Sequence, residues 1–400
     1  MREEFGMGGI ASYAKWGDVM RTSFRRRLWL VAAAAGLFLL IAAPGSVAPA
    51  AANPTVTRVM RGLDNPRGLA FGPNGALYVA EAGRGGYGLV DCSIAPLPLF
   101  CFTGSGGTIR SYGPTGAISR VLKGVQERVV TGLPSQARAT DGTFAIGAHD
   151  VAFLEGQDIE SPYVTIGLQQ PPALRDMFPY LSVMASLARI ERSSGATFVA
   201  DLGAYEAANN PDGGPLDTNP YGLLAVPDGH VLTDAGANSL LHVDPNGDIS
   251  TLAVFESRPL GRSADSVPTS VAIGPDGAYY VGELSPGVGT ANVYRVVPGE
   301  PPRLFLASEG CLRGFTTIID LAFDDEGNLY VLQIGPGTLI RITPDANQPG
   351  DICDQFRAGT RTTILGGLTA PTSVAFGHGA LYVSNNGVSP GIGEVLRVEL

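Results

Sequence analysis

The chain has 400 residues, with 54 glycines and 30 prolines, 16% charged residues and a net charge of −10. Its 44% hydrophobic content supplies core material and excludes a wholly disordered chain, while its acidity excludes a protein that neutralises nucleic-acid phosphates. So much glycine and proline argues against long helices and for short strands joined by tight turns.

Residues 1–52 differ from the rest. Arg25, Arg26 and Arg27 precede an apolar run from Leu28 to Ala43, which Pro44 and Gly45 end before a small-residue stretch reaching Ala52. That is the pattern of a secretory signal. Cleavage is expected after Ala50 or Ala52, and Met20 is the better start, so residues 1–19 read as an over-extended start. The run is short for a membrane span. The mature chain, residues 53–400, is expected to have no span and to be a secreted, extracytoplasmic monomer. Removing the signal takes away six bases and three acids, so the mature charge becomes −13. No Trp and one lysine, Lys123, remain, which leaves Schiff-base chemistry a single residue in a turn-like setting.

All four cysteines lie in the exported part, an even count in an oxidising compartment without C-x-x-C spacing, which favours disulfides over a metal. Three pairings are possible; the sequence-local one, Cys92–Cys101 and Cys311–Cys353, is expected.

A repeat then runs to the end of the chain. Gly68-Leu-Ala-Phe-Gly-Pro-Asn-Gly-Ala-Leu-Tyr-Val-Ala-Glu81 returns from Ser270 to Glu283, from Asp320 to Gln333 and from Ser373 to Asn385, with weaker copies at Asp150 and Gly222. Each copy reads as an apolar strand, a Pro-Asn/Asp-Gly turn and a second strand, followed by a third and a fourth. Four antiparallel strands make a propeller blade. Six copies, marked by Leu69, Val151, Leu223, Val271, Leu321 and Val374, predict an all-β fold, a six-bladed β-propeller. The last copy lacks a fourth strand, which the N-terminal stretch Thr55–Met60 is expected to supply, closing the ring. The first two units carry insertions: a stapled loop over 84–107, a short helix within 168–188 and a polar loop over 203–221.

Gly62-Leu-Asp-Asn-Pro-Arg-Gly-Leu-Ala-Phe71, Tyr205-Glu-Ala-Ala-Asn-Asn-Pro-Asp-Gly-Gly214, Asn219-Pro-Tyr-Gly-Leu-Leu224 and Val383-Ser-Asn-Asn-Gly387 resemble the ScyD/ScyE family, over nearly all of residues 53–400. The blades are more distantly similar to NHL-repeat and gluconolactonase-like propellers. The ScyD/ScyE resemblance implies export and six blades, and no established catalytic residues.

In such a ring the residues that end strand two and begin strand one meet on one face. Aligned copies place Glu81, Ile166, Asp234, Glu283, Gln333 and Asn385 at the first position. Just before strand one they place Gly68, Asp150, Gly222, Ser270, Asp320 and Ser373, preceded by Arg67, His149, Tyr221, Thr269, Ile319 and Thr372. Two readings compete. In one, the acids and amides cap neighbouring turns. In the other, Glu81, Asp234, Glu283 and Asn385 hold a hard cation such as Ca²⁺, with His149 as general base. A channel-mouth ligand site would use Arg67, Asp150, Tyr221, Thr269, Asp320, Gln333 and Asn386. The loop residues Asn209, Asn210, Asp212 and Asp217 form a further calcium candidate without EF-hand spacing. His230, His242 and His378 read as solvated.

The expected function is the binding of a small molecule or protein ligand at this mouth. The alternatives are a Ca²⁺-dependent lactonase-like hydrolase and a quinone-cofactor dehydrogenase. The latter is weakened by scarce bases, with only Arg67 and Arg84 near the mouth. Gly83–Gly88 fits a phosphate-loop pattern but precedes no helix. Gly387–Gly391 fits G-x-S-x-G but has Pro390 where a nucleophile elbow turns into a helix.

Overall fold

The hydrophobic alternation of the repeat explains how the blades stack. Along strand two, side chains point alternately to the two faces of a sheet, so a Tyr-Val pair serves two interfaces. Tyr78 packs toward the second blade and Val79 toward the sixth. Tyr280 and Val281, Tyr330 and Val331, and Tyr382 and Val383 repeat the division. Six apolar layers result, one between each pair of neighbouring blades.

In the computed structural model of the chain, residues 54–93, 100–104, 107–156, 161–191, 195–256, 258–259, 263–285, 291–306 and 314–400 are described. The expected signal segment lies outside them. Pro54–Gly104 and Thr108–Leu400 form one compact unit. No helix of the described residues is long and apolar enough to cross a membrane.

Blade one consists of Pro66–Phe71, Leu77–Glu81, Ile109–Leu122 and Val125–Arg138, ordered from the channel outward. Cys101–Thr103 adds to its third strand. Blades two to five begin with the inner strands Ala148–Ala152, Pro220–Val226, Pro268–Ile273 and Ile318–Phe323, each the first of four in its sheet. Blade six takes Ser373–Gly377, Ala380–Asn385 and Gly393–Glu399 from the C-terminal end, and Thr55–Leu63 as its outer strand. Thr55 pairs with Glu399 and Leu63 with Gly393. The ring therefore closes as the repeat predicts.

The turn between strands one and two is also the predicted one. In blade one the Gly72 N–H donates to Ala76 O at 2.9 Å and the Gly75 N–H to Gly72 O at 2.9 Å. Gly75 sits at φ +75°, the left-handed residue that a three-residue hairpin loop requires.

Among the described residues three short α-helices interrupt the β pattern: α1 (Pro172–Met177), α2 (Leu202–Asn209) and α3 (Ile352–Ala358). Helix α1 fulfils the expectation for 168–188. Helix α2 replaces the first half of the polar loop expected over 203–221. Its cause is Asp201, which ends a strand and caps the helix by accepting from the Ala204 N–H at 2.8 Å, while Leu202, Gly203 and Glu206 are buried beneath. Arg175 of α1 reaches the Asp201 carboxylate with both terminal nitrogens, tying the two helices together.

The Cys92–Cys101 disulfide is formed. Cys353, on α3, is disulfide-bonded as well; Cys311, the partner expected for it, lies outside the described residues.

Candidate functional site

The residues that end strand two are buried, and they turn into their own blades. Glu81 is fully buried. It accepts from the Asp64 N–H at 2.7 Å and the Ser119 hydroxyl at 2.5 Å, and pairs with Arg128 at 2.6 Å. Asp234 accepts from the Thr218 hydroxyl and the Asn219 N–H, each at 2.6 Å, and from the Gly236 and Ala237 N–H groups. Glu283 accepts from Ser266 Oγ at 2.6 Å and the Asn292 N–H at 2.9 Å. Gln333 accepts from the Thr316 N–H at 2.7 Å, and Asn385 from the Thr369 N–H at 2.8 Å.

In every case the donor set includes the loop that leads into the same blade. The repeated oxygen is a cap that pins this loop to the end of strand two, which is the turn-capping reading. The metal set Glu81, Asp234, Glu283 and Asn385 is accordingly not brought together. Each side chain spends its oxygens on its own blade, and among the described residues no three His, Cys, Asp or Glu side chains form a metal-holding group. Of the channel-mouth set, Gln333 bonds Thr338 and Asn386 reaches Glu394, each within its own blade.

The residues before strand one do converge, on the inner ring. In three of the six copies the residue two before the marker reaches the carbonyl three before the marker in the next blade. His149 Nδ1 donates to Pro220 O at 2.9 Å, Thr269 to Ile318 O at 3.1 Å and Thr372 to Pro66 O at 2.7 Å. In three copies the residue one before the marker accepts from the next blade's N–H. Asp150 accepts from Leu223 at 2.8 Å, Asp320 from Val374 at 2.8 Å and Ser373 from Leu69 at 3.1 Å. These bonds lock blade to blade around the channel.

Arg67, His149, Asp150, Tyr221 and Asp320 also sense one another electrostatically. Burial, and then the Asp320 charge, hold Asp150 well above the usual carboxylate range. Burial pushes Asp320 up to about 6. His149 stacks on Tyr221 with ring centroids 4.5 Å apart. Burial first, and then the Arg67 charge, lower it to about 3. Its carbonyl partner can only accept, so Nδ1 carries the proton and Nε2 is left as a buried acceptor with no partner. An imidazole held this far below neutrality is a poor match for the general base expected of it; its position is that of a latch.

Several polar atoms on this ring have no partner: Arg67 Nε, His149 Nε2, Asn219 Oδ1 and Ser270 Oγ are buried without one. The Tyr221 hydroxyl senses the charges of Arg67, Asp320 and Asp150.

Bases gather at the mouth where sequence reasoning expected few. Arg67 donates to Gly387 O and, at 2.7 Å, to Ala145 O. Arg110 donates to Phe144 O at 2.9 Å and to Gln136. Burial, with the charges of Arg138 and Arg67, lowers Arg110 to about 10. Arg138 lies 4.9 Å over the Phe144 ring. Arg110, Gln136 and Arg138 belong to the extended hairpin of blade one and have no equivalent in other copies, so aligning the repeat cannot find them. His230 corrects another expectation: it is 3% exposed, stacks on Tyr163 at 4.1 Å, and is lowered to about 4 by burial and by His242.

The loop-bearing face also holds Glu206, in the last turn of α2. Burial, followed by the carboxylates of Asp234, Asp212 and Asp217, pushes it up to about 8 against the pull of the Asp217 N–H.

No family model matches the chain, and no curated protein does. A protein of unknown function from Bacteroides thetaiotaomicron is similar in structure, 9% identical, covering 87% of this chain and 76% of that one, with a TM-score of 0.51. Virginiamycin B lyase from Staphylococcus aureus is 11% identical, covering 87% and 99%, with a TM-score of 0.48. A gluconolactonase from Xanthomonas campestris is 12% identical, covering 86% and 90%, with a TM-score of 0.49. At these identities the likeness is one of fold, and the fold is a six-bladed β-propeller.

Proposed function

We propose that the protein is an exported propeller of the ScyD/ScyE kind that binds a small polar ligand at the loop-bearing mouth of its channel. One observation carries this reading: four buried polar atoms on the inner ring, on Arg67, His149, Asn219 and Ser270, lack partners. Buried polar groups are normally satisfied, so a ring that leaves a donor and several acceptors open suits a guest with hydroxyl and carbonyl groups. The disulfide is consistent with an extracytoplasmic setting.

Tyr221→Phe is the chosen perturbation, since it removes a hydroxyl that senses Arg67, Asp150 and Asp320 and keeps the ring that stacks on His149. Small carboxylic acids, polyols and lactones are screened for a rise in melting temperature. A compound that stabilises the wild type and loses its effect in Tyr221→Phe supports the reading. A panel with no such compound sinks it. Turnover of a lactone in the same screen, lost in Glu283→Gln, would favour the hydrolase instead.

A further inference from the structure

Three arginines gather around one dipeptide, Phe144-Ala145, in the loop that leads into blade two. In the extended hairpin of blade one, Arg110 stands directly opposite Arg138 in the strand register, an arrangement in which like charges repel. The Arg110 guanidinium donates to Phe144 O at 2.9 Å, and Arg67, on the inner strand, donates to the next carbonyl, Ala145 O, at 2.7 Å. Arg138 lies 4.9 Å over the Phe144 ring. Exposure falls from 35% for the Arg138 side chain to 9% for Arg110 and 5% for Arg67, so the positive charge is graded from solvent toward the inner ring.

A buried charge is costly unless it is paired. Arg110 donates to the oxygens of Gln136 and Phe144, and Arg67 to those of Gly387 and Ala145, all of them neutral. Such dipoles satisfy hydrogen bonds without cancelling charge. Among the described residues only Arg138 of the three meets a carboxylate, Asp141 at 3.5 Å. Arg67 Nε is buried with no partner at all. In a chain of net charge −10, the cluster is a local reversal of sign. Resting on the mouth reading above, we propose that the ligand is held by an anionic oxygen group, a carboxylate or a phosphate, which Arg138 meets first and Arg67 Nε binds, with the Arg110 charge beside both. Guanidinium groups suit such oxyanions in both charge and donor geometry.

The test is thermal melting of the full chain in sodium acetate, inorganic phosphate and neutral acetamide, each against NaCl at matched ionic strength. The wild type is expected to show a saturable rise of several degrees with acetate or phosphate and none with acetamide; which anion acts separates the two oxyanion sources. A general salt effect does not saturate and is equal in every variant. Arg138→Gln, at a partly exposed side chain, should weaken the saturable shift. Arg67→Lys, which keeps a positive charge but removes Nε, should abolish it; if Arg67→Lys does not fold, Arg138→Gln decides. No saturable anion shift in the wild type, or an undiminished shift in the folded variants, overturns the proposal. A neutral polyol or lactone that stabilises through Tyr221 while no anion does would overturn it and leave the mouth reading standing; a panel in which nothing binds sinks both.

Discussion

His149 gives the sharpest energetic prediction. It is fully buried, and Arg67 and Tyr221 are the charged and titratable groups that face it. In the unfolded chain a histidine ionises near 6.5, whereas in the fold it stays neutral down to about 3. Between these values the unfolded state binds a proton that the folded state refuses, so stability falls as pH falls. At pH 5 the loss from this residue alone is about 2 kcal/mol, and at pH 8 it is close to nothing.

His149→Asn keeps an amide donor for Pro220 O and removes the titration. At pH 8 the variant should be less stable by about 1–2 kcal/mol through lost packing on Tyr221. At pH 5 that deficit should vanish or reverse. Urea denaturation of both proteins at a series of pH values measures the difference, in which the other titrating groups, His230 and Asp320 among them, cancel. A deficit that stays constant from pH 8 to pH 5 would refute a buried, neutral His149.

Two further outcomes follow from the ring. Arg128→Ala strips the partner from the fully buried Glu81, which it meets at 2.6 Å; discounted for the half-exposed guanidinium, the cost is about 2 kcal/mol in urea unfolding, and a loss below about 0.5 kcal/mol would mean that the Asp64 and Ser119 donors suffice. Gly68→Ala places a Cβ 2.7 Å from the Asp150 backbone in the next blade, so it should lower the melting temperature markedly; an unchanged melting curve would show that the inner strands are not in close contact.

The fold was legible because its signal is repeated. The Tyr-Val alternation and the Gly turns recur in most copies, and Thr55–Leu63 supplies the strand that the last copy lacks. The two rings were legible as positions but not as chemistry. The same alignment that finds Glu81, Asp234, Glu283 and Asn385 cannot say whether four oxygens face one another or turn into their own blades. That depends on the loops leading into the blades, whose lengths and sequences differ between copies. Arg110 and Glu206 were out of reach for the opposite reason: they sit in insertions, where no copy offers a comparison. Their character comes from burial, which composition does not reveal. Helix α2 escaped because its cap, Asp201, also ends a strand.

The seam in blade six bears on how such a protein comes to be folded. Every other blade is a continuous stretch of chain, but this one joins Thr55–Leu63 to Gly393–Glu399. The closing contacts are thus the most distant in sequence, and their loop-closure entropy must be met before the ring gains from them. Until residues 393–399 are in place the outer strand Thr55–Leu63 has no partner in its blade, so closure is the last step the ring can complete. Once closed, the same seam keeps the two ends side by side, and the rate at which it parts would set the lifetime of the ring.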